Sequence, residues 1–510
     1  MQGLYDVKSI DAEWRPAPAQ TFDLDTGRPS RIVVFGGDWV GLTTAAGLAS
    51  FGHLVVAVDI DEARIDRLSR GDLQGLQEPG LAECVRAQIA AGRLSFCTDA
   101  GDALPDARLI FLAVSDGAPD DGSAATDKID DAARRLAAAL QAPVPVVIQS
   151  MVPAGTARRV QALLQTSLAD PRATATVLVC PSFMRRGSAL ADFGAPSRIV
   201  VGDDSLDDTA RRTLLEACKP MIDAGAAVVT MDTRSAELSK PSANAMLAAR
   251  VSSMNEIAAI ATATGADIEK VREGIGSDRR IGTAFLRAGM GYGGPGLAQG
   301  VSLLRETARQ RNVRADLLLA IERVNDRQQC WAFAALRRDV GSQQALRALH
   351  VAVWGLAFKP GTNDVVQAPG LVLIDRLVRA GVTVTLFDPV VQAAARSGVA
   401  VHRRIFWARS AEQALAGADV LMLAADWAEF VDVDPAVVGG ALRLQTVYDC
   451  RNALDAQRWA AAGLRVVQVG RPTHLAAKPV GRRPKNDEVP VVEVECSPTR
   501  LASDPFGLAA

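Results

Sequence analysis

A chain of 510 residues exceeds what one hydrophobic core usually organises, and at roughly 150 residues per domain it allows about three units. Hydrophobic residues make up 49% and charged residues 22%, the balance of a globular protein and not of a disordered or fibrous one. Fifty-six basic residues face 58 acidic ones, so no positive field draws the chain to phosphate backbones or anionic lipid, and nucleic acid is excluded as an expected partner.

The seven cysteines (Cys84, Cys97, Cys180, Cys218, Cys330, Cys450, Cys496) are scattered and odd in number, without the close pairing of zinc sites or disulfide frameworks. That usage predicts no metal and a reducing, cytoplasmic setting. No stretch reaches the roughly 18 to 20 apolar residues that span a bilayer, and the N-terminus carries acids where a signal peptide has a basic region, so no membrane association is expected.

In chain order, residues 1–30 mix Pro, Asp, Arg and Thr without apolar period and read as an extension with little structure of its own. The fold is expected to begin at Arg31. Ile32 to Phe35 is a buried-strand run, Gly36 to Gly41 a tight turn, Leu42 to Ser50 a helix, and Leu54 to Val58 a strand closing on Asp59, which together form a βαβ unit. Further strands are predicted at Leu109–Val114, Val144–Gln149, Thr176–Val179 and Arg198–Val201. Strands alternating with helices imply a parallel sheet covered on both faces.

From Arg234 to Gly265 the pattern becomes one long Ala-rich helix, with more helix to about Arg338. A second α/β block opens at His350–Gly355 and continues through a helix at Leu371–Arg379, a strand at Val382–Phe387 ending in Asp388-Pro389, and a strand at Ala418–Leu423. Past Arg471 the sequence turns into a Pro- and Glu-containing tail. The expected fold class is α/β, two Rossmann-like doubly wound domains joined by a long central helix. The expected boundaries are 31–233, 234–338 and 339–471, flanked by the extension 1–30 and the tail 472–510.

Dinucleotide-binding turns read G-x-G-x-x-G after a strand: the second glycine lets backbone approach the pyrophosphate at a helix N-terminus, and an acid about 20 residues on holds the ribose. Here the turn is Gly36-Gly37-Asp38-Trp39-Val40-Gly41, with Asp59 as the ribose acid. Asp38 sets a carboxylate where the phosphates come closest, at a helix end it can cap itself. NAD binding through Gly36, Gly41 and Asp59 is therefore impaired, while Gly37 leaves a rearranged turn open.

This turn, Glu78-Pro79-Gly80-Leu81 and a series of dispersed motifs resemble the UDP-glucose/GDP-mannose dehydrogenase family from about Arg31 to Arg471. The motifs are Val152-Pro153-Ala154-Gly155-Thr156, Asn255-Glu256, Arg280-Ile281-Gly282, Gly289-Met290-Gly291-Tyr292-Gly293-Gly294 and Gly355-Leu356-Ala357-Phe358-Lys359-Pro360, in the family's order. The resemblance implies a dimer built on the long helix and a nucleotide-sugar site to which Arg280, Gly293 and Lys359 contribute. The family reaction takes the sugar C6 alcohol to a carboxylate in two hydride transfers to NAD, through an aldehyde captured by a cysteine thiol.

At the positions that the resemblance makes catalytic, this chain departs from the pattern. Gly296 stands where the cysteine belongs and Gly300 where an aspartate belongs. Ser182, in Cys180-Pro181-Ser182-Phe183, stands where a glutamate belongs, and Met151 where a threonine belongs. Val366 replaces an arginine. Lys240 and Asn244 remain, four apart on one face of the long helix, although Pro241 follows Lys240 directly. Lys240 reads equally as a solvated helix lysine, Lys359 as a surface charge, and Cys180, the one cysteine near the expected site, as a buried structural residue.

The leading expectation is a degenerate member that has lost the four-electron oxidation and binds a UDP- or GDP-sugar, as a homodimer or paired with an active relative. The alternative is an NAD-dependent oxidoreductase with cysteine-independent chemistry, a two-electron oxidation served by Lys240 and Asn244. A third reading, an assembly protein acting through its extensions, rests on composition alone.

Overall fold

The computed structural model describes residues 29–73, 76–114, 123–168, 175–205, 208–391 and 402–473. The expected extension and tail lie outside these residues except for Pro29, Ser30, Pro472 and Thr473. The chain divides into two compact units at Lys240–Pro241.

The first unit is built on one sheet of eight strands: β1 (Arg31–Phe35), β2 (Leu54–Val58), β3 (Leu94–Cys97), β4 (Leu109–Leu112), β5 (Val146–Ile148), β6 (Val177–Val179), β7 (Arg198–Gly202) and β8 (Ala227–Met231). Their order is β3-β2-β1-β4-β5-β6-β7-β8. All neighbours run parallel except β6 and β7, which meet antiparallel at Val179 and Gly202. Ile32 to Phe35 are buried on both faces, as a central strand of a parallel sheet requires. The order reverses between β1 and β4, the switch point at which open α/β sheets leave a crevice beyond the strands' carboxyl ends.

The helix after β1 spans Trp39–Ser50, three residues earlier than the apolar run predicts, because Asp38 caps it: its side chain accepts from the Val40 and Gly41 N–H groups. The long helix spans Thr233–Thr264, 32 residues, and continues through Pro241.

The second unit carries a fully parallel sheet of β9 (His350–Trp354), β10 (Thr383–Phe387), β11 (Ile405–Trp407), β12 (Val420–Leu423), β13 (Thr446–Asp449) and β14 (Arg465–Gln468). The order is β11-β10-β9-β12-β13-β14, again reversing beside the first strand. Alternate residues of β9 supply two cores: Val351 and Val353 pack with the Pro369–Arg379 helix on one face, and Ala352 and Trp354 with Phe430, Val438 and Trp459 on the other. Both sheets bear out the α/β expectation. The short strands β3, β8, β11, β13 and β14 are additions to it.

The start of β2 is tied down by His53, which is buried. Its Nδ1 accepts from the Ser30 N–H at 3.3 Å and its Nε2 faces the Ala217 carbonyl at 3.2 Å. These partners together suit one neutral tautomer. Burial, partly offset by the Ala217 carbonyl, holds its pKa below the ordinary 6.5. The unfolded chain therefore takes up the proton first, so this contribution to stability is whole above pH 6.5 and is lost as pH falls through that value. Denaturant unfolding between pH 7.5 and 5.5 is expected to show a falling stability whose slope is reduced in His53→Gln; equal slopes refute the assignment.

Candidate functional site

In the first unit the predicted residues collect on loops at the carboxyl ends of the strands. The turn after β1 is tight: a Cβ on Gly36 would fall 2.5 Å from the Ala113 carbonyl oxygen, and one on Gly41 2.0 Å from the Gly36 carbonyl oxygen, so both positions demand glycine. Asp38 Oδ1 lies 3.1 Å from the Val40 nitrogen and 3.4 Å from the Gly41 nitrogen. The donors at this helix N-terminus, to which a dinucleotide's pyrophosphate would bind, thus already hold a carboxylate of the chain itself. In this arrangement Asp38 competes with a pyrophosphate for the Val40 and Gly41 donors.

Asp59 is likewise engaged. Its Oδ2 accepts from the Gly37 N–H at 2.6 Å and from Arg64 Nη1 at 2.9 Å, and its Oδ1 from the Asp61 N–H at 3.0 Å. A carboxylate accepts at about four positions, so these three donors leave room for about one further hydroxyl.

Glu78, from the Glu-Pro-Gly-Leu motif, is buried and accepts from Trp39 Nε1 at 2.9 Å, the Gly187 N–H at 2.8 Å and the Ala189 N–H at 2.6 Å. It fastens the turn to the segment following β6, where the Arg186 guanidinium also covers the Trp39 ring at 4.4 Å. Met151 and Ser182 are both buried, after β5 and β6. Ser182 Oγ accepts from the Met184 N–H at 3.4 Å, a local turn contact. Glu237 accepts from the Gly155 and Ala157 N–H groups and so caps the Thr156–Ser167 helix from the long helix. Lys240, partly buried, ends this unit.

In the second unit the glycine-rich loop is clamped from several sides. Asn255 Oδ1 accepts from the Gly289 N–H at 2.9 Å, and the Cys450 carbonyl from the Met290 N–H at 2.8 Å. Asn325 takes both backbone groups of Tyr292. Asn255 stood out in the sequence; Asn325 did not, because nothing near it in the chain signals a loop thirty-three residues away. A Cβ on Gly293 would meet the Gln367 carbonyl oxygen at 2.4 Å, and one on Gly294 the Phe358 ring at 2.7 Å. The loop therefore seats directly on the Phe358–Gln367 segment, with Gly294 N–H donating to the Val366 carbonyl at 2.9 Å. Lys359 Nζ stands 5.8 Å from the Phe358 ring centroid.

Gly296 and Gly300 lie in the helix Pro295–Gln310, whose first turn receives Asn244 Nδ2 on the Gly296 carbonyl at 2.9 Å. The structure thus brings Asn244, Gly293, Gly296, Gly300 and Lys359 into one neighbourhood. Arg280 is exposed and pairs with Asp278 at 2.6 Å; its hydrogen bonds hold the Asp278 carboxyl down to about 2. Among the described residues no His, Cys, Asp and Glu group is placed to hold a metal ion, and no helix is long and apolar enough to cross a membrane.

Cys180 is the cysteine that the sequence set nearest the expected site. It keeps a fraction of its surface, yet burial pushes its thiol up to about 12, far from thiolate at neutral pH. Brief alkylation of the folded protein with iodoacetamide at pH 8, read by peptide mass spectrometry, is expected to leave Cys180 unmodified and to label it fully after denaturation; rapid native labelling would reinstate it as a nucleophile.

Three successive segments match the UDP-glucose/GDP-mannose dehydrogenase family: residues 30–218 its NAD binding domain, 234–327 its central domain and 352–456 its UDP binding domain. The UDP-glucose 6-dehydrogenase of Pseudomonas aeruginosa is 40% identical over 447 residues, covering 87% of this chain and 98% of that protein. That of Rhizobium meliloti is 35% identical, covering 87% of this chain and all of its own length. The structure of a UDP-glucose dehydrogenase from Pyrobaculum islandicum superposes with a TM-score of 0.79 at 29% identity over 88% of this chain and 100% of that one. A UDP-D-ManNAc dehydrogenase from Pyrococcus horikoshii, 22% identical with a TM-score of 0.74, shares the fold. With two sheets of this order, parallel but for one pair of strands, a glycine-rich loop clamped between Asn255 and Asn325, and three domains matched in sequence, the chain belongs to the UDP-glucose/GDP-mannose dehydrogenase family.

Proposed function

We propose that this chain is a nucleotide-sugar dehydrogenase homologue that has lost the four-electron, NAD-dependent oxidation and acts by binding a nucleotide sugar. The observation that carries the reading is Gly296: the first turn of the helix beyond the glycine-rich loop holds no thiol. An aldehyde offers no good hydride until a nucleophile adds to its carbonyl carbon, so without the thiol the second oxidation has no covalent intermediate to proceed from. Gly300 and Ser182 remove the two carboxylates that the family resemblance assigns to acid–base work, and Met151 removes a hydroxyl.

The family's UDP binding domain and the retained Gly293 and Lys359 support a UDP-sugar as ligand. Sugar phosphates need donors and a positive charge but no thiol. Asp38, by filling the helix N-terminus, supports weak or absent NAD binding. A second copy or an active relative is the partner this reading assigns to the long helix, on which Met246 and Ile260, fourteen residues apart and so on one face, are 65% and 59% exposed.

Calorimetric and thermal-shift titration with NAD and with a panel of UDP- and GDP-sugars tests the reading. A UDP-sugar at about 100 times its Kd is expected to stabilise the protein by about 2.7 kcal/mol, with no NADH formed. NAD is expected to bind measurably tighter to Asp38→Gly than to the wild type. NADH accumulation by the wild type with any nucleotide sugar overturns the loss of chemistry and supports the two-electron alternative through Lys240 and Asn244.

A further inference from the structure

The two glycines that replace reactive side chains in the Pro295–Gln310 helix are not equivalent. A Cβ built on Gly296 has one neighbour within 4 Å, Asn244 Nδ2 at 4.0 Å, so the space beside it is open. A Cβ built on Gly300, one helical turn further on, would stand 2.5 Å from Asn244 Cβ and 3.0 Å from the Pro241 carbonyl oxygen. One of these atoms is on the main chain and the other bonded directly to it, so neither can swing aside as the end of a flexible side chain would. Room for any side chain at Gly300 requires the two helices to separate. Val301 and Leu303, fully or nearly fully buried on the same helix, pack it in place, and Asn244 reinforces the contact by donating to the Gly296 carbonyl.

We infer that Gly300 is the residue on which the Pro295–Gln310 helix closes against residues 241–244 of the long helix, and that Asn244 is a positioning residue holding that helix's first turn. The acid position of this site is therefore shut while the thiol position beside it stands open. The inference deepens the proposed loss of chemistry and rests on that reading for its functional meaning: one loss is a vacancy, the other has been overbuilt by packing.

The test uses opposite signs in one helix of the full chain. Helix propensity alone makes Gly→Ala stabilising at both positions. Gly296→Ala is expected to raise the Tm by about 1 to 4 °C, as an unopposed propensity gain does. Gly300→Ala is expected to lower it by about 3 to 10 °C, because overpacking outweighs propensity. The Gly300→Ala loss should shrink in an Asn244→Gly background, which removes the Cβ it collides with. A Tm raised by Gly300→Ala, or unchanged by Gly300→Asp, overturns the closed acid position. Gly296→Cys is expected to fold and to be alkylated by iodoacetamide at that cysteine; a folded but unreactive variant overturns the open one. These readouts involve no ligand, so NADH formation by the wild type would defeat the proposed function and leave the packing inference standing.

Discussion

Backbone N–H groups freed where parallel strands end must find acceptors, and in this protein buried carboxylates supply them. At the end of β2, Asp59 takes the N–H of Gly37 in the turn after β1. At the end of β10, Asp388 takes the N–H groups of Leu356 and Ala357 in the turn after β9, those of Val390 and Val391, and Trp427 Nε1. Asp449, the last residue of β13, takes the N–H groups of Arg451 and Leu454 in its own following turn, with Gln468 on β14 as a further donor. Asp59 and Asp388 each tie a strand end to its neighbour's turn, one in each sheet. The turns after β1 and β9 are fixed by this device, whereas the glycine-rich loop is held by Asn255, Asn325 and the Cys450 carbonyl.

The same device limits what the site can do. A carboxylate whose oxygens already accept several buried hydrogen bonds is not free to orient a ligand without giving one up. Asp388 is wholly committed in this way, and Asp38 extends the pattern to the one helix end where a dinucleotide would expect bare N–H groups. The first unit therefore keeps the fold of the family's NAD binding domain, with Asp38 capping the helix that follows β1.

In the second unit, glycine does the corresponding work through absence of a side chain. Gly293 and Gly294 bring the loop onto the Phe358–Gln367 segment, and Gly300 brings helix onto helix. The first two seat a loop on a neighbouring segment. The third leaves no room for a side chain, so the close approach of loop and of helix comes from the same residue type at positions only a few residues apart.

The sequence alone determined the βαβ start at Arg31, both α/β blocks and the long helix, because apolar period and glycine placement are local signals. It also showed glycine at 296, where the family resemblance implies a cysteine, and the cap at Asp38, since a motif shows its own exceptions. Five strands escaped it, four of them (β3, β8, β11 and β14) at the edges of the two sheets, where a strand need not be a continuous apolar run. Only tertiary structure decided that Asn325 clamps Tyr292, that Glu78 fastens Trp39 to the Gly187–Ala189 segment, and that Gly300 has no room for a side chain while Gly296 has. These depend on which atoms meet across tens of residues of chain, and packing distance is not written in local pattern.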